Sequence, residues 1–218
     1  MQISSHSTTY LQNGWVFKVS QPHQHFRQEL ILLLHGWSGD ENSMDIFIRA
    51  LPTNVWIISP RAPYALPDTG YSWTKSIPDF PQAQIEFIES ASGLWQQISG
   101  WKNMLRIPDE ITIHLVGFSQ GGAMSLILSF LHGNQIGKIA CLSGFLPDWG
   151  ENLIINGSLI NKPYLITHGT SDQIVPVERA RMAQTILRST GASVNYCETL
   201  GGHKLAAKCF IELKAFFA

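Results

Sequence analysis

A serine lies in a glycine-rich turn between an apolar run and a strong helix former. The turn covers residues 117–122 (GFSQGG) and follows the apolar run 111–116. Glycines on both sides of a serine allow a sharp turn that exposes its hydroxyl at the end of a strand, as in a Gly-x-Ser-x-Gly nucleophile elbow. A glycine-rich turn that happens to contain a serine is the structural alternative. The strand before the turn and the helix after it favour a nucleophilic role for Ser119.

A nucleophilic serine needs a base within hydrogen-bond distance and an acid that orients this base. With such an elbow, the expected order along the chain is serine, acid, histidine. Asp172 follows the apolar run 164–167, and His203 follows the run 194–199, so both come after predicted strands. Taken singly, each has a structural explanation, as a capping aspartate and as a residue at the start of a helix. Taken together and in this order, they predict a triad with Ser119.

Three other titratable residues are weaker candidates for these roles. Asp148 comes after another predicted strand and stays open as an alternative acid. His168 precedes Asp172 too closely to be the favoured base, and we expect it to order the loop that carries the acid. His114 lies inside a predicted strand, where a structural role is expected.

Neither a metal nor a cofactor is expected. His23 and His25 form an isolated His-x-His without a partner at the spacing of metal ligands, so a solvated loop is the favoured interpretation. The chain contains no His-Glu-x-x-His, Cys-x-x-Cys, P-loop or Gly-x-Gly-x-x-Gly motif. The three cysteines have apolar surroundings in the sequence and are expected to be free and buried: Cys141, Cys197 and Cys209.

Acyl transfer also requires N–H donors for the oxygen that becomes negatively charged in the intermediate. We expect one donor to be the backbone N–H of Gln120, directly after the nucleophile. The other is expected from the loop after the apolar run 30–34, where the turn favours the N–H of Trp37. His35 and Gly36 are expected to support this loop, because a larger residue at position 36 would crowd the turn.

Strand-like and helix-like segments alternate along the chain. This alternation predicts a mostly parallel sheet with helices on both faces, whose ligand crevice lies beyond the carboxyl ends of the strands. The predicted strands are 15–19 (in an edge hairpin), 30–34, 55–58, 111–116, 138–142, 164–167 and 194–199, and the predicted helices are 43–51 (capped by Asn42 or Ser43), 85–105 (bent or divided at Gly93 and Gly100), 177–190 and a last one after His203.

Length and charge restrict the class of protein. With 218 residues, 44% of them hydrophobic, the chain can bury one core, and we expect a single domain over 1–218. The formal net charge is -1 and the sequence has no long basic runs, so no basic surface for binding nucleic acid is expected. Signal-peptide features and membrane-length apolar runs are absent from the sequence. The expectation is a cytoplasmic protein that acts on a small ester or lipid-like molecule, without stable membrane insertion.

Residues 59–81 carry five prolines and several aromatic side chains. This composition predicts an ordered but irregular loop, and loops of this length in a compact domain are usually functional. The sequence leaves open whether this loop gates the site.

Six segments between residues 30 and 203 resemble, in their order, the carboxylesterase/phospholipase family of α/β-hydrolases. They are LLLHGWSGDE, SPRAPYALPDTGYSW, GFSQGG, LSGFLP, HGTSDQIVP and GGH. This family includes acyl-protein thioesterases and lysophospholipases. The resemblance implies an α/β-hydrolase fold without a separate cap domain, the same triad, the same two oxyanion donors, and a homodimer as a partner arrangement.

Two departures from the family pattern concern the substrate. Trp37 stands where many members have a small or aliphatic residue, so its ring is expected to narrow or wall the acyl site. Trp73-Thr74 stands where the eukaryotic thioesterases have Trp-Phe-Asp, which favours the simpler bacterial-type esterases over protein depalmitoylation.

An apolar acyl pocket is expected beside the triad. Its candidate lining residues, each also explained by packing, are Trp73, Phe145, Leu146 and Val175. We therefore expect a serine esterase for short to medium acyl chains. The alternatives are an acyl thioesterase or lysophospholipase, and a non-catalytic binding module on a hydrolase scaffold.

Overall fold

A twisted sheet that is mostly parallel carries the loops of the predicted site. The computed structural model describes residues 7–22, 27–76, 81–155 and 157–218. The solvated loop expected at His23 and His25 lies outside these residues, as does the part 77–80 of the predicted loop 59–81.

The main sheet has eight strands, of which only the first two along one edge run antiparallel to their neighbours. All further neighbours are parallel, which confirms the expected type of sheet. In spatial order the strands are β1 (Ser7–Gln12), β2 (Trp15–Ser20), β4 (Trp56–Pro60), β3 (Glu29–Leu34), β7 (Thr112–Phe118), β8 (Ile136–Leu142), β9 (Pro163–Gly169) and β10 (Ser193–Thr199); β5 (Tyr64–Ala65) and β6 (Tyr71–Ser72) form a separate small hairpin.

The helices connect the parallel strands. They are α1 (Asp45–Ile48), α2 (Pro81–Leu105), α3 (Gln120–Leu131), α4 (Val177–Ser189) and α5 (Ala207–Phe217). None of the helices in the described residues is long and apolar enough to span a bilayer.

Strand β3 shows why both faces of the sheet are covered. Leu30, Leu32 and Leu34 belong to the core that includes residues of α2, α3 and α4. Ile31 and Leu33 belong to the core formed with α1 and α5. Successive side chains of a strand point to opposite faces, so a continuous apolar run such as 30–34 must be buried on both. The structure confirms the prediction of helices on both faces.

Three local predictions differ from the structure. The sequence predicts no strand at β1, because its side chains are mostly exposed and show no apolar alternation. In the structure β1 pairs with β2 and forms the edge hairpin. The turn between them contains Asn13 and Gly14, both with positive φ. Helix α2 is continuous through Gly93 and Gly100. Helix α1 is only four residues long, and neither expected side chain caps it, since Met44 is at the N-cap position.

The cysteine prediction is wrong for two of the three residues. Cys197 in β10 and Cys209 in α5 form a disulfide, with their Cα atoms 5.9 Å apart. Cys141 is free and buried, and burial raises the pKa of its thiol to about 12. The sequence could not reveal the pair, because it gives no distance between a strand and the helix that packs beside it.

Candidate active site

Ser119 occupies a strained turn between β7 and α3. Its backbone has φ 55° and ψ -119°, a conformation that is costly for a residue with a side chain. The neighbouring glycines make this turn possible, because a Cβ on Gly117 would overlap the carbonyl oxygen of Gly121, and one on Gly121 would overlap that of Leu34. The N–H of Ser119 donates to Leu142 O at 2.9 Å. The structure therefore has the strand, turn and helix of a nucleophile elbow.

His203 of the predicted triad is within hydrogen-bond distance of both other members. His203 Nε2 lies 2.9 Å from Ser119 Oγ, and His203 Nδ1 lies 2.7 Å from Asp172 Oδ2. A carboxylate can only accept, so the ring carries its proton on Nδ1 and leaves Nε2 free to accept from the hydroxyl. Asp172 is buried, whereas Ser119 and His203 are partly exposed. This arrangement allows proton transfer from the serine to the histidine.

The carboxylate of Asp172 is held by several donors. Its Oδ1 accepts the N–H groups of Ile174 and Val175, both at 2.9 Å. His168 is buried below it, with Nε2 2.8 Å from Val175 O and 3.4 Å from Asp172 Oδ2. Burial alone would raise the pKa of Asp172, but the Val175 N–H, the His203 ring and the Ile174 N–H together hold it below its usual value. The carboxylate of Asp172 is thus kept ionised beside the His203 ring.

The alternative candidates lie elsewhere. The side chain of Asp148 is 71% exposed, and its carboxylate lies 3.3 Å from the guanidinium of Arg179. The carboxylate that bonds to His203 is that of Asp172. His114 is buried in β7, where its Nδ1 accepts the N–H of Lys138 at 2.8 Å. Burial lowers the pKa of His114, so the ring is neutral and structural at neutral pH.

The two expected oxyanion donors lie on loops that contact each other. A Cβ on Gly36 would lie 3.2 Å from the Cβ of Ser119, so the loop after β3 touches the elbow. In the part of the chain that the structure describes, the N–H groups of Trp37 and Gln120 donate to no other acceptor. Gln120 is the first residue of α3, where N–H groups have no acceptor within the helix and the helix dipole favours negative charge.

A charged pair that sequence reasoning missed connects the loop after β3 to the segment after β4. The loop, residues 35–41, carries the predicted donor Trp37 and is named the oxyanion loop. Arg61 donates to both carboxylate oxygens of Glu41, at 2.7 and 2.8 Å, and to the hydroxyl of Tyr71 at 3.1 Å. Hydrogen bonds from Arg61 hold the pKa of the buried Glu41 below its usual value. The signal in the sequence was one acid and one base in two neighbouring motif segments, DE and PRAP.

The expected pocket residues are all buried. Trp73 has no exposed surface, so in this structure it packs behind the site and does not line an open pocket. Phe145, Leu146 and Val175 join the core cluster on the α3 side of the sheet. The guanidinium of Arg179 lies 5.2 Å from the centre of the Phe145 ring.

Apolar side chains are exposed on the three loops that carry the predicted oxyanion donor Trp37, the predicted acid and the predicted base. They are Trp37 at 45%, Ile174 at 72% and Leu200 at 90% exposure. Each lies within three residues of a predicted site residue in the sequence or is one itself. We refer to these three exposed side chains as the apolar rim. Exposed apolar side chains on the loops of a site favour a substrate with an apolar part.

A comparison with known protein families shows to which family the chain belongs. A family model described as Phospholipase/Carboxylesterase matches residues 16–218. The chain belongs to the phospholipase/carboxylesterase family. The match covers every residue of the candidate site and confirms the resemblance seen in the six sequence segments.

Individual known proteins are similar to the chain over part of its length or at low sequence identity. Acyl-protein thioesterase 1 of Gibberella zeae is 32% identical over 114 residues, 50% of this chain and 48% of that protein. A probable carboxylesterase of Oryza sativa subsp. japonica is 31% identical over 113 residues, 50% of this chain and 42% of that protein. The aligned part thus spans less than half of either relative's length. The crystal structure of the Bacillus cereus carboxylesterase has a TM-score of 0.79 at 19% identity and covers 93% of this chain and 92% of that chain, which shows the α/β-hydrolase fold.

Proposed function

We propose that this protein is a serine hydrolase that cleaves carboxylic esters, with short to medium acyl chains, through an acyl-enzyme on Ser119. The observation that supports it best is the His203 ring, which bridges Ser119 Oγ at 2.9 Å and the Asp172 carboxylate at 2.7 Å. Membership of a phospholipase/carboxylesterase family supports ester hydrolysis in general.

The proposed reaction uses this geometry in two steps. His203 Nε2 takes the proton of Ser119 as Oγ attacks the ester carbonyl, and the negative charge develops on the former carbonyl oxygen. The N–H groups of Trp37 and Gln120 stabilise that oxygen. His203 then gives its proton to the leaving alcohol, and a water molecule activated by the same ring releases the acid from Ser119. Asp172 keeps the ring in the required tautomer throughout.

An acyl thioesterase or a lysophospholipase is the second candidate, because the attack on all three substrates is the same. The exposed apolar rim at Trp37, Ile174 and Leu200 favours a lipid-like substrate, and the Gibberella zeae relative is called a thioesterase. Rates across an acyl-length series of p-nitrophenyl esters, acyl thioesters and lysophospholipids rank these substrates. A preference of more than tenfold in kcat/KM for one class at equal chain length identifies it.

Covalent labelling tests the catalytic role of Ser119. We expect a fluorophosphonate probe to label the purified protein and not the Ser119→Ala variant, whose p-nitrophenyl ester turnover should fall by about 10⁴-fold or more. Ser125 is a matched control, since it is a buried serine on α3 with its hydroxyl bonded to Gly121 O; Ser125→Ala should still be labelled. A wild-type protein that is folded but neither labelled nor active would instead be a non-catalytic binding module.

A further inference from the structure

The segment Ser72–Thr74 lies between the two loops that carry the proposed oxyanion donors. On one side it bonds to the side chain of Gln120, whose Oε1 accepts the Trp73 N–H at 3.1 Å. The Nε2 of the same amide donates to Thr74 Oγ1 at 2.9 Å and to Ser72 Oγ at 3.0 Å. The backbone N–H of Trp73 can only donate, and this fixes the orientation of the amide. The residue after the nucleophile is thus held by its side chain while its own N–H stays available.

On the other side the segment bonds to the oxyanion loop. Trp73 Nε1 donates to His35 O at 2.8 Å, two residues before Trp37. The His35 ring is fixed as well, because its Nε2 accepts the N–H of Ala62 at 3.0 Å, and its Nδ1 therefore donates to Gly36 O at 2.7 Å. Burial lowers the pKa of His35, so the ring stays neutral and keeps this pattern at neutral pH.

These contacts lie in the interior of the protein. The side chains of Trp73, Gln120 and His35 are all buried. A hydrogen bond between buried groups is stronger than one in water. If its donor is removed, the buried acceptor is left without a partner, which costs free energy and favours a shift of the backbone that carries it. A bond between two loops therefore sets their spacing.

We propose that the Trp73 indole and the Gln120 side-chain amide are positioning residues that fix the spacing of the Trp37 and Gln120 N–H groups. This inference rests on the proposed function, since it concerns the oxyanion hole of the same site. Neither side chain is exposed to the site, since Trp73 is 0% and Gln120 2% exposed. They act by holding the two N–H groups where the oxyanion forms, and such donors lose effect steeply when they move.

The test compares two tryptophans that differ in one respect. Trp101 is buried like Trp73, but its Nε1 has no hydrogen-bond partner among the described residues, and its ring stacks on Phe17 away from the site. Trp73→Phe and Trp101→Phe remove the same volume, and only the first removes a bond to the oxyanion loop. We expect Trp73→Phe to lower kcat by about 10- to 100-fold with KM changed less than about twofold, and Trp101→Phe to keep the wild-type kcat.

The amide is tested in the same way. Gln120→Met keeps the length of the side chain and the backbone N–H but removes the bonds to Ser72–Thr74. We expect the same selective loss of kcat, and a double variant with Trp73→Phe that is less impaired than the product of the two single effects, because both act through one segment. Equal kcat in Trp73→Phe and Trp101→Phe would overturn the inference.

A measurement that does not need activity separates this inference from the proposed function. In ¹⁵N-labelled protein, the backbone amide resonances of Trp37 and Gln120 should shift in Trp73→Phe and stay in place in Trp101→Phe. Unshifted resonances in Trp73→Phe would refute the positioning role even in an inactive protein. An active wild type with an unimpaired Trp73→Phe variant would refute the inference alone, whereas an unlabelled and inactive wild type would refute the proposed function.

Discussion

Asp172 is the residue on which the orientation of the proposed base depends. Its Oδ1 accepts two backbone N–H groups, so the carboxylate cannot rotate freely, and its Oδ2 is left for His203. A carboxylate at this place does two things: it fixes the proton on Nδ1 and stabilises the charged ring in the transition state.

Substitution of Asp172 by asparagine should remove both effects on the His203 ring and leave the fold intact. The amide keeps the size of the carboxylate but offers an N–H group to the ring, which favours the wrong tautomer, and we expect kcat to fall by about 10⁴-fold. The control is Asp148→Asn, since Asp148 is exposed and pairs with Arg179. Steady-state kinetics with a p-nitrophenyl ester measure both. A large loss in Asp148→Asn with an active Asp172→Asn would show that the acid is assigned to the wrong residue.

At the scale of elements, the disulfide connects β10 to α5 across the loop that carries His203. Cys197 and Cys209 are 12 residues apart, and His203 lies between them. A cross-link of this kind lowers the entropy of the unfolded chain. It also limits how far the ends of the loop can separate in the folded protein.

Loss of this disulfide should lower stability by about 3 kcal/mol in the chain-entropy model. We expect a small dithiol to shift the urea midpoint of the wild type downward, and to leave the Cys197→Ala/Cys209→Ala double variant unaffected. Reduction transfers two electrons to the disulfide and oxidises the dithiol to its cyclic form. Urea unfolding curves with and without the dithiol are the measurement, and an identical wild-type midpoint in both would argue against the cross-link.

The whole molecule contains a set of histidines that burial keeps neutral. Burial lowers the pKa of His35, His114 and His132 below the ordinary value of 6.5. Nearby charges also change the pKa of two of them. Asp40 and Glu41 raise the pKa of His35 and Arg61 lowers it. Glu29 raises the pKa of His114, and Lys138 and Arg27 lower it. His132 stacks on Trp95 at 4.3 Å.

These histidines predict a pH dependence of stability. Because the folded pKa values lie below those of the unfolded chain, the unfolded state binds more protons as the pH falls through 6.5. The free energy of unfolding should therefore decrease from pH 7 to pH 5. His132→Phe keeps the aromatic stack and removes one titrating group, so its stability should depend less steeply on pH. Urea unfolding across this range measures both, and a wild-type stability that is constant or rises toward pH 5 would contradict the argument.

Two predictions about the whole molecule stay predictions: the single domain over 1–218 and the homodimer. The cytoplasmic location stays one too. The disulfide between Cys197 and Cys209 is more typical of oxidising compartments, where such bonds persist.

The sequence by itself determined the strands of the parallel sheet, the elbow and the order of the proposed triad. These features depend on local patterns: continuous apolar runs such as 30–34, glycines on both sides of Ser119, and polar residues directly after strands. Because the carboxyl ends of parallel strands meet at one edge, the order of Ser119, Asp172 and His203 was enough to predict their proximity.

Only the tertiary structure decided which side chains are bonded to which. Gln120 and Trp73 are 47 residues apart, and Trp73 and His35 are 38 apart. No local pattern relates such positions, since the approach of two loops depends on how the sheet and its helices pack. The same reason explains the disulfide, the burial of Trp73 and the exposed edge strand β1. Local backbone preferences thus fixed the elements, and long-range packing fixed the partners of their side chains.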